Sequence, residues 1–292
     1  MGPLIDFALG NWLLMHRLDD PRRPRAAARA CAVAVALCLF AGLPTTASAT
    51  TLVVLVSRRA IVVGADSLRT LAGGGTESVC KIHDRDGVVF AFAGAVSSDR
   101  FDATTTAERE LAGSGDLAQK ARRIADALQA GLVQHFKTRR IESTRRELID
   151  GQRGRPVTGF VATLVDGKPQ GFLVLVLAAG GEQGVTLTTK VEPLDTLGPD
   201  QAIFLSSQHQ EVIEAASRSV PAKSRASVEQ LVTAAGDLVT LDLRLEAEQS
   251  PALRRSGPPA SIAVLDRDGF RFTDPGVCAP AVRHVGRSPA AR

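Results

Sequence analysis

Two apolar runs near residue 50 limit the fold more than any other feature of the chain. Thr50–Val56 reads TTLVVLV and Ile61–Ala65 reads IVVGA, with Ser57-Arg58-Arg59-Ala60 between them. Neither run alternates polar with apolar residues, so each reads as a strand covered on both faces. The short polar link makes the two a hairpin. Folding it about Arg58–Arg59 pairs residues whose numbers sum to about 117. That register sets Asp66 opposite Thr51, beside Thr50. Asp66-Ser67 also suits a plain strand-ending cap, the favoured reading were Thr50 not there.

Residues 1–49 read as a targeting segment. Arg17, Arg22, Arg23, Arg25 and Arg29 precede an apolar stretch of 13 residues, Cys31–Leu43, and Pro44 with Ala47-Ser48-Ala49 completes a cleavage pattern. The stretch falls short of the ~20 residues that span a bilayer. The expectation is a signal peptide cut after Ala49, membrane contact only during export, and a periplasmic or secreted product. Thr50 then becomes the first residue of the mature chain, carrying a hydroxyl and a free α-amine. Such an amine titrates at about 7.7–8.0. It can therefore act as general base for the hydroxyl of its own residue.

Composition narrows the partners. The chain has 292 residues and is 45% hydrophobic, enough for a substantial core. Beyond residue 49 it holds 30 basic and 28 acidic residues, and neither Tyr nor Trp. That is no footprint for nucleic acid, which wants a basic face and stacking platforms. Cys80 and Cys278 remain after cleavage, as one disulfide or as two buried thiols. No Cys/His spacing fits a metal site. The Gly73-Gly74-Gly75 loop lacks the Lys-Ser/Thr of a phosphate loop, so no cofactor is expected.

Further along, Val79–Ile82 reads as a short strand. Its Lys81 is either a snorkelling surface lysine or a partner for Asp66. Val88–Gly94 reads as a buried strand. Helices are predicted from a cap at Ser97, Ser98 or Asp99 to about Leu111, and from Ser114 or Asp116 through the apolar face Leu117, Ala121, Ile124, Leu128 and Leu132. Lys137–Arg155 reads as a charged surface excursion. Strands follow at 158–165, 171–177 and 202–205, then a helix at 209–217. Ser227 with Gln230 forms a capping box that opens another helix toward Glu246. A last hairpin covers 262–272, and 280–292 reads as a disordered tail. Residues 50–279 thus form one domain, with two antiparallel sheets and helices outside both.

The segment Thr50–Asp99, with its TTLVVLV, ADSLRT, CKI and FAFAGAVSSD motifs, resembles the proteasome β-subunit family, a branch of the N-terminal-nucleophile (Ntn) hydrolases. The resemblance implies an α+β fold, the four-layer αββα sandwich of two antiparallel sheets flanked by helices, and a possible homo-oligomer. It implies that Thr50 is the nucleophile and that Lys81, paired with Asp66, stabilises the alkoxide. The backbone amide of Gly94 would serve the oxyanion. Thr70, with Arg69 beside it, would align substrate as an added strand, and Phe92 would border a pocket for small or medium apolar side chains. Ser206 or Ser207 would sit beside the amine. The family's second supporting acid has no counterpart in pattern; Glu246 and Glu248 are near but out of place. Family members usually expose their threonine after a Gly, whereas Ala49 precedes Thr50, so signal peptidase would make the site. The activity implied is that of an exported threonine-type amide hydrolase acting on peptides. The alternatives are a small-molecule amidase or acylase, or an inactive assembly or binding module.

Overall fold

A computed structural model describes residues 51–70, 75–98, 101–181, 184–194, 203–206, 209–219, 227–249 and 257–278. The leader 1–49, Thr50, Gly73 and Gly74 of the glycine loop, Asp99, Ser207 and the tail 280–292 lie outside the described residues. The chain divides into Met1–Pro44 and Thr45–Arg292, and every described element belongs to the second unit.

The elements run β1 (Leu52–Val56), β2 (Ala60–Ala65), β3 (Leu68–Thr70), β4 (Thr76–Ser78), β5 (Ile82–Arg85), β6 (Val88–Gly94), β7 (Ser97–Ser98) and β8 (Phe101–Asp102). Two helices follow, α1 (Ala103–Ala112) and α2 (Leu117–Phe136), then the short α3 (Ile141–Arg145) running into a π-helical turn, Arg146–Gly151. The second half comprises β9 (Val157–Val165), β10 (Lys168–Gly181), β11 (Gly184–Pro193), β12 (Ile203–Ser206), α4 (Gln210–Ser219), α5 (Val228–Gln249), β13 (Ser261–Asp266) and β14 (Gly269–Asp274). The protein is α+β. Among the described residues the strands form two five-stranded antiparallel sheets, ordered β12-β1-β2-β13-β14 and β11-β10-β9-β6-β5, and two two-stranded pairs, β3-β4 and β7-β8.

The apolar runs become the centre of the first sheet. Every residue of β1 and β2 is buried. Leu52, Val54, Ile61 and Val63 pack toward the second sheet, against Ala91, Phe160 and Leu173. Val53, Leu55 and Val62 point the other way, onto Val212 of α4 and Leu231, Ala235 and Leu238 of α5. Burying a Val, Leu or Ile contributes about 1.5–3 kcal/mol, and period-2 alternation divides that gain between the two faces of the sheet. The second sheet buries its outer face on α1 and α2, through Phe90, Val161 and Val174 against Ala107, Ile124 and Leu128. Helix α5 packs tightly on the first sheet at Gly64, where a Cβ would meet Val239 Cγ2 at 3.0 Å.

Several local predictions change. The helix expected to start at Ser97 or Asp99 starts at Ala103, because Asp102 is the residue whose carboxylate accepts the Thr105 amide. Lys137–Arg155 is partly helical, as α3 and the π turn. Lys81 precedes strand β5, which runs on to Arg85. The Ser227/Gln230 capping box forms, and of the two starts offered for the helix at 117 it is Asp116 that caps, in a box with Gln119. Cys80 and Cys278 are joined as a disulfide.

Candidate active site

The hairpin register sets the first contact. Leu52 pairs with Ala65 and Val56 with Ile61, sums of 117 as expected. One step beyond the ladder, the Asp66 amide donates to the Thr51 carbonyl at 3.3 Å. The Asp66 side chain folds back, and its Oδ1 accepts the Thr51 amide at 2.9 Å. The same oxygen accepts Lys81 Nζ at 2.8 Å. Its Oδ2 accepts the Leu68 amide at 3.0 Å and the Gly257 amide at 3.2 Å. Asp66 is therefore a strand-ending cap and an ion-pair partner at once. Lys81 is no snorkelling surface lysine, since the residue is only 8% exposed. The pair joins the end of β2 in one sheet to the approach to β5 in the other.

Burial decides how these charges titrate. It pushes the Asp66 carboxyl up from its ordinary range, against the pull of Lys81 and of the amides of Gly257 and Leu68. It pushes the Lys81 ammonium down, against the pull of Asp66. The low-dielectric site holds the charges together but weakens the grip of Lys81 on its proton.

Gly94 ends β6 with φ of +99°, and a Cβ there would lie 2.3 Å from the Pro156 carbonyl oxygen. Only glycine fits. Arg69 Nε donates to Glu77 Oε1 at 2.7 Å, across the β3–β4 hairpin, and its guanidinium lies 3.7 Å from Asp102. A cavity of about 270 Å³ opens between these groups, lined by Arg69, Lys81, His83, Phe92, Asp102 and Thr104 among others. Burial pushes the His83 imidazole down, toward the neutral form. Arg69, Lys81 and Phe92 are thus brought together at one cavity. The backbone of Thr70 continues from Arg69 in β3, paired with Thr76. Ser206 ends β12 opposite Leu52, the first residue of β1. Among the described residues, no group of three or more His, Cys, Asp or Glu side chains could hold a metal ion.

Sequence reasoning missed a second acid. Thr51 Oγ1 donates to Asp242 Oδ2 of α5. One turn on, Glu246 lies 3.2 Å from the His209 ring. The sequence reading offers Glu246 and Glu248 near this position and passes over Asp242. The signal was present: Leu231, Ala235, Leu238, Asp242 and Glu246 share one helical stripe, and acids on a buried stripe need partners.

Fold and site together define an α+β protein with two antiparallel sheets, helices on the outer face of each, and a buried carboxylate–lysine pair bridging them beside residue 51. No family model matches the chain, and no curated protein matches it. Solved structures similar to it include Anbu proteins. A Gly-1 mutant from Hyphomicrobium sp. strain MC1 is 16% identical, covers 77% of this chain and 84% of its own, and has a TM-score of 0.46. Anbu from Yersinia bercovieri, described as an ancestral beta-subunit, is 11% identical over 76% and 86%, with a TM-score of 0.48. These findings correct the resemblance read from the sequence: the structures just named are Anbu proteins, a proteasome-like but distinct family, and they lend no support to a signal peptide. Likeness at this level carries no argument about chemistry, which rests on the residues themselves.

Proposed function

We propose that residues 50–279 form an N-terminal-nucleophile hydrolase, with the two sheets and their helices as its four-layer αββα sandwich. In this reading Thr50, once it is the first residue of the chain, cleaves amide bonds in peptides. The observation that carries the proposal is the buried Asp66–Lys81 pair, hydrogen-bonded to the amide of the residue after Thr50. Strand alternation supports it: Leu52 faces the second sheet, and position 50 shares its parity.

The chemistry follows from these groups. The Thr50 amine takes the Oγ proton, and Oγ attacks the substrate carbonyl. The Lys81 ammonium, loosened by burial, stabilises the developing negative charge, and the Gly94 amide serves the oxyanion. The protonated amine then gives its proton to the leaving nitrogen, which departs and leaves an ester on Oγ. Water, activated by the same amine, hydrolyses that ester. In this reading Thr70 and Arg69 align an added substrate strand, Phe92 borders the pocket, and Ser206 or Ser207 serves the amine. The Cys80–Cys278 disulfide favours an oxidising compartment outside the cytoplasm.

Protein that begins at Thr50 and its Thr50→Ala variant provide the test, on fluorogenic peptides and on small acyl-amides. Turnover of peptides that vanishes in the variant is the expected result. Turnover unchanged in the variant refutes the nucleophile. Turnover of acyl-amides alone moves the substrate class to small amides.

A further inference from the structure

We propose that the Cys80–Cys278 disulfide is a thiol-exchange site, entered by a small thiol through the cavity beside it, whose opening releases Lys81 from its fixed place against Asp66. The inference rests on the hydrolase reading only where it extends to turnover.

Two links tie the sheets together at adjacent residues. Cys80 is bonded to Cys278, in the turn that follows β14 at the edge of the first sheet. Lys81 is paired with Asp66, at 2.8 Å, just past the end of β2. Residues 79–81 themselves belong to no strand. The Val79 amide donates to the Ser67 carbonyl at 2.7 Å, and Ile82 opens β5 opposite Ala91. The covalent bond at Cys80 is thus the firmest restraint on the backbone that carries Lys81.

The other half of the bond is anchored without it. The Cys278 amide donates to the Pro275 carbonyl at 2.7 Å, and the Ser261 hydroxyl donates to the same carbonyl at 2.9 Å. At Gly276 a Cβ would lie 2.5 Å from the Ala260 carbonyl oxygen, so this turn sits hard against the start of β13. Opening the disulfide leaves that turn to its own hydrogen bonds and loosens 79–81 instead.

Access selects the sulfur that is attacked. Cys278 is 2% exposed, whereas Cys80 is partly exposed and lines the 270 Å³ cavity with Arg69, Lys81, His83 and Asp102. Two cations against one carboxylate, with the imidazole held toward neutral, draw in a thiolate. The thiolate attacks Cys80 Sγ, the S–S bond breaks, and Cys278 leaves as a thiolate that takes up a proton. A second thiolate attacks the small sulfur of the mixed disulfide, and Cys80 leaves in turn. Two small thiols are oxidised to their disulfide, and the protein disulfide is reduced to two thiols. Reducing surroundings therefore loosen Lys81, and oxidising ones fix it.

The test treats the folded protein with glutathione and locates the mixed disulfide by peptide mass. Acetylation of Lys81 by acetic anhydride is then compared in the oxidised and the reduced protein. Hydrogen exchange of β9, in the middle of the second sheet, marks global opening. Glutathione is expected on Cys80, arriving faster than β9 exchanges. Reduction is expected to speed Lys81 acetylation about tenfold, the change that about 1.4 kcal/mol of local opening free energy gives, with β9 exchange little altered. Glutathione on Cys278 alone, or arriving no faster than β9 opens, overturns the route. Acetylation unchanged by reduction, or raised only in step with β9 exchange, overturns the release. The Cys80→Ser/Cys278→Ser variant should match the reduced parent at Lys81, and oxidised glutathione should restore slow acetylation to the parent alone. On fluorogenic peptides, protein that begins at Thr50 should lose kcat on reduction, with KM little changed, and regain it on reoxidation. Turnover that persists while Lys81 is acetylated faster overturns the extension to catalysis. A parent with no turnover at all refutes the hydrolase reading, while peptide mass and acetylation still judge the disulfide.

Discussion

Replacing Lys81 with Met isolates the buried pair, because methionine keeps the length and apolar bulk of the lysine stem and discards its charge. Removing one partner of a buried ion pair costs about 3–5 kcal/mol, since the other charge is left without its counter-ion. Asp66 retains three amide donors, from Thr51, Leu68 and Gly257. Those donors place the cost near the lower end, about 3 kcal/mol. For a domain of this size that lowers the melting temperature by about 6–12 °C near pH 7.5.

The loss depends on pH with a definite sign. Burial already raises the Asp66 carboxyl above its ordinary value in the folded state. Loss of Lys81 removes the strongest opposing influence and raises it further. A carboxyl raised on folding binds its proton more tightly in the native state, so stability increases as pH falls through the folded value. The deficit of Lys81→Met should therefore be largest near neutral pH and shrink toward pH 5. Thermal melts of variant and parent at both pH values, followed by far-UV circular dichroism, make the comparison, and taking the difference cancels other titrating groups. Equal melting temperatures at pH 7.5, or a deficit that grows on acidification, would show that Asp66 does not depend on Lys81.

Other perturbations read other parts of the site. Gly94→Ala forces a Cβ against the Pro156 carbonyl at a φ of +99°, and the strained backbone alone should cost about 1–3 kcal/mol in urea unfolding. Reduction of Cys80–Cys278, which closes a separation of 198 residues, should lower stability by about 2–4 kcal/mol; thiol alkylation of the unreduced protein should leave both cysteines unmodified. Gly159→Ala would drive a Cβ to 2.2 Å from the Phe92 ring. Because Phe92 lines the cavity, that variant should change preference among peptide substrates more than it changes the acylation rate of Thr50.

Much of the frame is legible in the order of residues because its signals are local. The unbroken apolar runs at 52–56 and 61–65 call for strands covered on both faces, and a four-residue link leaves one register, which brings Asp66 to Thr51. The Asp116 and Ser227 caps announce their helices within four residues. The long-range pairings are another matter. Lys81 carries the same local pattern whether it snorkels or is buried, and only the meeting of two sheets chooses burial with Asp66. Cys80 finds Cys278, and Thr51 finds Asp242 across 191 residues, through contacts that no periodicity encodes. Hydrophobic pattern and turn chemistry determine which face of an element is buried; what it is buried against depends on how the layers come together, and the electrostatics of this site belong to that second step.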